Sequence, residues 1–342
     1  PPTDTAIHAG HRAAMRPTQY QLQPAAKALR QLRPRILMAD GVGLGKTLEV
    51  GVLLTELIQR GRGERILVLA LKSILEQFQR ELWARFTIPL VRLDSVGIQR
   101  VQSKIPTNMN PFYYYDRAII SIDTLKRDKK KWGRYLEQCR WDIIVVDECQ
   151  NVADRSKSAT SKSSQRAELA DLLAPRCDAL ILTSATPHDG RPKSFASLVQ
   201  LLEPTAIADD ENYTSEEVEE FFLRRFKKDV ADQIDSGFEE RVQDIEKHSA
   251  SAEEDAVFDY LDEVKFRTIG RTRGNSGMLF KTLLLKSFLS SPAAFLSTVE
   301  ERLKKKIVQD QESEDAAHDR DILSQLYNLG ERIKPANFTK YQ

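Results

Sequence analysis

The sequence predicts an α/β fold in which a predominantly parallel sheet carries helices on both faces, followed by an all-helical extension. Short, almost entirely apolar runs such as Arg65–Ala70 and Ala118–Ile122 are typical of parallel strands, which are buried on both sides. Runs with helical periodicity separate them, and this alternation is the pattern of a sheet covered by helices. A glycine-rich turn joins the first strand to a long helix. Beyond Val230 the pattern becomes helical.

The composition limits the class of protein. Of the 342 residues, 41% are hydrophobic and 30% are charged, which suits a globular chain with a sizeable core. No apolar run approaches membrane-spanning length, so no membrane partner is predicted. The net charge of +1 neither favours nor excludes nucleic acid. Three cysteines without a CxxC pair favour a reducing compartment, and we expect a cytoplasmic protein.

The clearest chemistry lies in a glycine-rich loop that follows the apolar run Arg35–Ala39. Its backbone N–H groups can turn around the β- and γ-phosphates of a nucleotide, and the helix that begins near Gly45 directs its positive end at the same anion. Lys46 is placed to contact the phosphates, and the Thr47 hydroxyl to hold Mg²⁺. Asp40 departs from the strict pattern, which has glycine there. The predicted cofactors are ATP and Mg²⁺, and the predicted ATP-binding residues of the loop are Gly41, Gly43, Leu44, Gly45, Lys46 and Thr47.

A glutamine upstream of the loop has two interpretations. Gln21 lies just before the helical run that begins at Pro24. At the start of a helix it can simply face solvent. A glutamine can also pair with the donor and acceptor edge of adenine, and we favour this contact for Gln21 because a phosphate loop follows.

Two acidic residues end a second apolar strand, Ile143–Val146. Burying adjacent carboxylates beside a core strand costs free energy unless a cation or a proton transfer uses them. We predict that Asp147 holds Mg²⁺ largely through water and that Glu148 orients and polarises the water that attacks the γ-phosphorus. Gln150 is assigned to the same ATP site. A strand that merely ends in acidic turn residues is the alternative. The predicted catalytic residues are Lys46, Asp147 and Glu148.

Polar and basic residues follow two of the predicted strands. A basic run over residues 126–131 comes shortly after Ala118–Ile122. Such a run is usually a solvated face, but open α/β sheets bind their ligands at the carboxyl ends of the strands. The predicted nucleic-acid contacts are therefore Lys72, Ser73, Thr124, Lys126, Arg127 and Lys129.

Hydroxyl side chains end another predicted strand, Ala179–Leu182, and a proline follows them. At a strand end they could couple the nucleotide pocket to a polymer site, although the pattern alone is not specific. The predicted coupling residues are Thr183, Ser184, Ala185 and Thr186.

Taken in order, these motifs resemble the first motor half of a superfamily-two helicase. The block Phe222–Val230 resembles the Leu-Arg-Arg-x-Lys-Lys-Asp-Val sequence that closes the first RecA-like domain of Swi/Snf-type ATPases. The resemblance covers residues 12–245, and its spacing suggests the bacterial branch of that family. Cys149-Gln150 and His188-Asp189-Gly190 replace the family's usual residues at those places, and neither change removes a catalytic group.

The resemblance implies a RecA-like fold and ATP hydrolysis coupled to movement along duplex DNA, in anti-phage defence or in transcription recycling. It divides the chain into a leader (1–16), a first RecA-like ATP-binding domain (17–246) and a helical extension (247–342). The family's second-half signature, Gln-x-x-Gly-Arg-x-x-Arg, is missing from this sequence. We therefore expect half of a catalytic cleft, weakly active by itself, that works with a second RecA-like domain. The helical extension is a candidate surface for protein partners.

Three rival functions use the same residues. An RNA-remodelling helicase has the same ATP chemistry, although the Leu-Arg-Arg block argues against it. A non-catalytic docking module could use nucleotide binding as a structural switch, but the intact Lys46, Thr47, Asp147 and Glu148 argue against a dead site. A phosphate-loop kinase would need an acceptor pocket or lid motif, and none is visible.

Some local elements complete the prediction. Two capping-box patterns, Ser73 with Glu76 and Ser251 with Glu254, predict helix starts. Residues 240–245 are compatible with a last strand. Residues 270–277 read as a glycine- and arginine-rich hinge before an apolar helix.

Overall fold

A computed structural model describes residues 4–8, 13–127, 129–154, 163–187, 190–233, 248–268, 276–310 and 313–341. The chain divides into two compact units, Pro1–Gly237 and Phe238–Gln342, called here the first and the second unit. Within the described ranges, no helix combines the length and the apolar character that crossing a membrane requires.

The first unit alternates strands and helices. Its strands are β1 (Arg35–Met38), β2 (Ile66–Ala70), β3 (Val91–Arg92), β4 (Arg117–Ser121), β5 (Trp141–Val146), β6 (Cys177–Thr183) and β7 (Phe222–Leu223). Its helices are α1 (Gln19–Ala28), α2 (Lys46–Gln59), α3 (Leu75–Phe86), α4 (Ser95–Gln102), α5 (Ile122–Arg127), α6 (Lys129–Gln138), α7 (Gln165–Leu173), α8 (Pro192–Leu202) and α9 (Ser215–Glu219).

The strands form one seven-stranded sheet in the order β3-β4-β2-β5-β6-β1-β7, and every neighbouring pair is parallel. Parallel strands bring all their carboxyl ends to one edge of the sheet. That edge therefore gathers the loops that follow β1, β2, β4, β5 and β6, which carry the predicted site residues.

Two apolar cores cover the two faces of this sheet. Along β2, Ile66 and Val68 belong to the core that α1, α2 and α3 complete, whereas Leu67 and Leu69 belong to the core that α6, α7 and α8 complete. This alternation follows from the two-residue period of a strand. The predicted fold class, a RecA-like parallel sheet with helices on both faces, is confirmed.

The two predicted capping boxes have different outcomes. The Ser251 box forms, because its Oγ accepts from the Glu254 N–H at 3.3 Å and the Glu254 carboxylate accepts from the Ser251 N–H at 2.9 Å. The box predicted at Ser73 is wrong. There α3 begins at Leu75 and has no side-chain cap. Residues 71–74 form a turn instead, in which the Ile74 N–H donates to the Leu71 carbonyl oxygen.

Some further differences lie in the loops. Most of the basic run over residues 126–131 belongs to α5 and α6, because each helix buries an apolar side chain, Leu125 or Trp132, in the core. β7 was not predicted; it adds a parallel edge strand beside β1. The predicted strand over 240–245 lies outside the described residues, and so does most of the hinge over 270–277.

The second unit is helical in its described part. Its helices are α10 (Ala252–Glu263), α11 (Ser276–Ser290), α12 (Pro292–Leu303), α13 (Lys306–Gln309) and α14 (Glu314–Arg332). Phe288 and Phe295 lie at the centre of its apolar core, with ring centroids 5.3 Å apart. The fully buried Asp319 accepts the backbone N–H groups of Arg267 and Thr268 at 2.7 and 2.9 Å, which closes the chain after α10.

Candidate functional site

The glycine-rich loop follows β1 and leads directly into α2. Gly43 and Gly45 have φ angles of 89° and 94°, in the left-handed region that glycine adopts without a steric cost. Gly45 is the N-cap of α2, so the N–H groups of Lys46 and Thr47, which precede the first helical hydrogen bond, lie at the loop. The Lys46 ammonium donates to the Asp40 carbonyl oxygen at 2.9 Å. The loop therefore has the backbone geometry of an anion-binding turn, with a lysine folded against it.

Gln21 packs against this loop. Its Nε2 donates to the Leu44 carbonyl oxygen at 3.2 Å, and its side chain is buried. A Cβ at Gly45 would approach that Nε2 to 2.9 Å, so the contact requires glycine there. Gln21 does not line the cavity beside the loop. Its Oε1 is buried and has no hydrogen-bond partner among the described residues. The structure thus gives Gln21 a contact with the loop, and its contact with adenine stays a prediction.

Asp147 and Glu148 follow β5 at the same edge of the sheet. Burial raises the pKa of the Asp147 carboxyl, and a hydrogen bond from the Thr183 hydroxyl opposes this shift. Glu148 has φ 50° and ψ 49°, a left-handed conformation that costs a residue with a side chain about 1–3 kcal/mol. Such a cost persists only where the surroundings enforce it, and it is concentrated at functional sites.

The predicted coupling residues reach Asp147 directly and Glu148 through Gln150. The Thr183 hydroxyl donates to the Asp147 carboxylate. The Ser184 hydroxyl donates to Gln150 Oε1 at 2.6 Å, and Gln150 Nε2 donates to Glu148 Oε2, also at 2.6 Å. Gln150 therefore joins the end of β6 to the acidic turn.

The other predicted residues of the loop and of the β6 end lie at the border of the site. Leu44 is buried, and Thr47 is half-buried and lines the cavity beside the loop. Ala185 is half-buried and Thr186 is exposed, with its N–H donating to Ser184 Oγ at 3.0 Å.

A cavity of about 400 Å³ opens between the loop, α3 and the acidic turn. Lys46, Thr47, Asp147 and Glu148 all line it. Its volume is in the range of small-molecule sites. An ammonium group, a hydroxyl and two carboxylates beside the backbone N–H groups of a helix N-terminus are the groups that bind a nucleoside triphosphate with Mg²⁺. The residues present therefore fit the predicted cofactors.

The structure explains the aspartate that departs from the loop pattern. Asp40 is fully buried and pairs with Arg225, whose Nε lies 3.2 and 3.1 Å from its two carboxylate oxygens. Glu49, a second buried carboxyl group, accepts from Arg225 Nη2 at 2.7 Å. The Arg225 carbonyl oxygen in turn accepts the Gly41 N–H at 2.8 Å. These bonds hold the segment after β7 against the loop. Apart from the Leu-Arg-Arg resemblance, no pattern in the sequence indicates this pairing.

Two carboxyl groups share this one guanidinium. Burial first, and the neighbouring Asp40 carboxylate second, raise the pKa of Glu49 from 4.5 to about 9. At neutral pH Glu49 is therefore protonated.

A groove of about 840 Å³ lies at the carboxyl ends of β2 and β4. The predicted contacts Lys72, Thr124 and Lys126 line it, together with Arg92 and Arg166. Four cationic and two acidic side chains face the groove. The groove therefore presents a net positive surface at the same edge of the sheet as the cavity beside the loop.

The remaining predicted contacts are not part of this lining. Ser73 is exposed, but it lies outside the groove. The side chains of Arg127 and Lys129 fall outside the described part of the chain.

A parallel sheet with a glycine-rich loop after its first strand and two acids after a neighbouring strand defines the phosphate-loop class of nucleotide-binding domains. A family model described as the SNF2-related domain matches residues 25–219, more than half of the chain. The chain therefore belongs to the SNF2-related domain family. The resemblance to Swi/Snf-type ATPases is confirmed, and the first unit is an SNF2-family ATPase domain.

Curated relatives carry the name RNA polymerase-associated protein RapA. The protein of Sodalis glossinidius is 31% identical over 208 residues, and that of Vibrio parahaemolyticus is 33% identical over 209 residues. Each match covers 61% of this chain and 20% of the relative. The matched region thus spans about a fifth of the length of these relatives.

Two solved structures share the fold. The Sulfolobus solfataricus SWI2/SNF2 ATPase core in complex with dsDNA superposes with a TM-score of 0.52 at 20% identity, covering 86% of this chain and 60% of that one. The core domain from the same organism superposes with a TM-score of 0.51 at 17% identity, covering 95% and 65%.

Proposed function

We propose that this chain is the ATP-binding half of a DNA-dependent ATPase that couples hydrolysis to movement along duplex DNA. One observation carries the proposal. A cavity lined by Lys46, Asp147 and Glu148 and a basic groove lined by Lys72 and Lys126 lie at the same edge of one parallel sheet. Family membership supports the ATPase, and the arrangement supports its control by a polyanion.

Each group in the cavity has one proposed task. The N–H groups of the loop and Lys46 bind the β- and γ-phosphates, as a helix N-terminus with an adjacent cation does. Thr47 and Asp147 hold the cation, the latter mainly through water. Mg²⁺, when bound with ATP, neutralises charge that develops on the phosphates. Glu148 orients the attacking water and accepts its proton, and Gln150 holds the carboxylate in place.

Duplex DNA is the proposed polymer. The solved SWI2/SNF2 core carries dsDNA, and the groove offers point charges to a phosphate backbone rather than a surface that reads base edges. Duplex RNA is the rival polymer, and the salt titration below includes it.

The wider assembly extends this proposal. The matches cover 60% of the solved core and 20% of the RapA proteins, which supports a second RecA-like domain that completes the cavity. The relatives' names support a role beside RNA polymerase. They offer no support for a role in anti-phage defence. Protein partners through the second unit are supported by the exposed apolar side chains of α11, such as Met278 and Leu279.

Replacing Lys46 with alanine should weaken Mg·ATP binding roughly 10–100-fold, the loss expected when a charge-assisted hydrogen bond disappears. Titration with a fluorescent ATP analogue measures the affinity, and thermal unfolding checks that the fold is kept. Lys104→Ala is the matched control, because Lys104 is exposed and lines neither the cavity nor the groove. Unchanged affinity in Lys46→Ala would remove Lys46 from the ATP site.

Replacing Lys126 with alanine should weaken duplex binding equally for unrelated sequences. Each phosphate contact adds about −0.9 to the slope of log affinity against log salt, so one lost contact flattens the slope by about that amount. Salt titrations on two unrelated DNA duplexes and one RNA duplex measure it, again with Lys104→Ala as control. A slope equal to the wild type would assign Lys126 to a solvated surface, and tighter binding of RNA would favour the rival polymer.

A further inference from the structure

Arg166 lies in the first turn of α7 and joins two parts of the site that are separate in the sequence. Its Nε and Nη2 donate to Asp123 Oδ1 at 3.1 and 2.7 Å, and its Nη1 donates to Asn151 Oδ1 at 3.1 Å. Asp123 follows β4 and lines the groove. Asn151 ends the turn that carries Asp147 and Glu148. One guanidinium therefore spans the groove and the acidic turn.

The contact continues to Glu148. The Asn151 side-chain amide donates to the Glu148 carbonyl oxygen at 2.9 Å, and the Asn151 backbone N–H donates to the same oxygen at 3.0 Å. These bonds hold the peptide group of the residue that adopts the left-handed conformation. Since that conformation persists only where neighbours enforce it, Asn151 is one of the groups that fix the direction of the Glu148 side chain.

The other end of the chain of contacts is open to a polymer. Asp123 Oδ1 also accepts from Lys126 Nζ at 2.9 Å, so one oxygen has donors from two cationic side chains. The side chains of Asp123, Lys126 and Arg166 are 42%, 30% and 26% exposed. A phosphate in the groove competes with Asp123 for Lys126, because both are anionic acceptors. Once Lys126 turns to the phosphate, Asp123 pairs with Arg166 alone.

A purely structural role accounts poorly for an arginine at this place. The first turn of a helix has a partial positive charge, and a cation there is unfavourable by about 0.3–1 kcal/mol. A half-exposed ion pair contributes only about 0–1 kcal/mol to stability, so the pair with Asp123 offsets that cost at best. The added bond to Asn151 is what distinguishes Arg166 from an ordinary surface arginine.

We propose that Arg166 is a positioning residue that couples the binding of a polymer phosphate in the groove to the orientation of Glu148. Phosphate binding releases Lys126 from Asp123, the pair of Asp123 with Arg166 tightens, and Arg166 in turn fixes Asn151 and the Glu148 peptide. This route is separate from the one that runs through Thr183, Ser184 and Gln150. The inference rests on the proposed polymer-stimulated ATPase.

The test compares steady-state ATP hydrolysis by the full-length protein with and without a saturating DNA duplex. In Arg166→Met we expect the stimulation ratio to fall about tenfold, within the usual range of coupling between two sites. Asn151→Ala should give the same loss, and the double variant should lose no more than either single one, because both act in one chain of contacts. Arg92→Met is the matched control. Arg92 lines the same groove but pairs with Asp94, so its variant should bind duplex less tightly and keep the ratio at saturation.

Other outcomes overturn the inference in distinguishable ways. If Arg166 only contacted phosphate, Arg166→Met would show a flatter salt slope and a normal ratio at saturating duplex. If Arg166 were only structural, the basal and stimulated rates would fall together and the ratio would again be unchanged. A wild-type protein that no duplex stimulates would overturn the proposed DNA-dependent ATPase together with the inference.

Discussion

Replacing Glu148 with glutamine should lower the rate of ATP hydrolysis about 10²–10⁴-fold, the usual contribution of a positioned general base. Glutamine has nearly the same shape and still offers an oxygen to Gln150 Nε2, but it cannot accept a proton from the attacking water. The affinity for Mg·ATP should therefore change little, in contrast to Lys46→Ala. Steady-state hydrolysis and a fluorescent-analogue titration on the same preparation separate the two effects.

The matched control for this variant is Glu81→Gln. Glu81 also lines the cavity, but it lies on α3, where it accepts from Gln77 Nε2 at 2.9 Å, and within the described ranges no hydrogen bond joins it to Asp147 or Glu148. Its replacement should leave the rate nearly unchanged. If both variants lost the same fraction of the hydrolysis rate, the rate would depend on the total charge of the cavity. A Glu148→Gln protein with the normal rate would refute the assignment of Glu148 as the general base.

Replacing Arg225 with methionine should destabilise the first unit by about 3–5 kcal/mol, the cost of removing one partner from a buried ion pair. Asp40 would remain fully buried without its cation, beside a second buried carboxyl group. The backbone contact between Gly41 and the Arg225 carbonyl would loosen as well, so nucleotide affinity should fall with stability. Chemical denaturation followed by the same fluorescent titration measures both quantities.

Arg224→Met is the control for this prediction. Arg224 is the neighbouring arginine, exposed and placed over the Phe226 ring at 4.8 Å, so its replacement should be nearly neutral. A destabilisation of similar size in both variants would contradict the buried network as the source of the effect.

Glu49→Gln tests the protonation of the network. The folded protein keeps the Glu49 proton up to about pH 9, whereas the unfolded chain loses it from about pH 4.5. The wild type therefore loses stability from this group as the pH rises between these values. Glutamine keeps an acceptor for Arg225 and does not titrate, so the variant should become more stable relative to the wild type towards high pH. A constant difference across that window would show that Glu49 is ionised in the folded state.

The amino-acid sequence by itself determined the class of the fold and predicted the residues of the candidate nucleotide site. Short, continuous apolar runs, helical runs between them and glycines in a tight loop are local patterns, so they are visible within a short window. The loop from Asp40 to Thr47 and the acids after β5 could be assigned for this reason. The sequence also placed Lys72, Thr124 and Lys126 at strand ends, since the direction of parallel strands follows from the alternating pattern.

Only the tertiary structure decided which of these groups meet. Asp40 and Arg225 are 185 residues apart, and their pairing depends on β7 lying next to β1 in the sheet. Arg166 reaches Asp123 and Asn151 because α5 and α7 pack on the same face. No periodicity encodes such contacts, because they depend on the order of the strands and on the packing of helices between them. The start of α3 is a further case in which the local pattern did not decide the structure. A turn after β2 forms in place of the capping box predicted at Ser73.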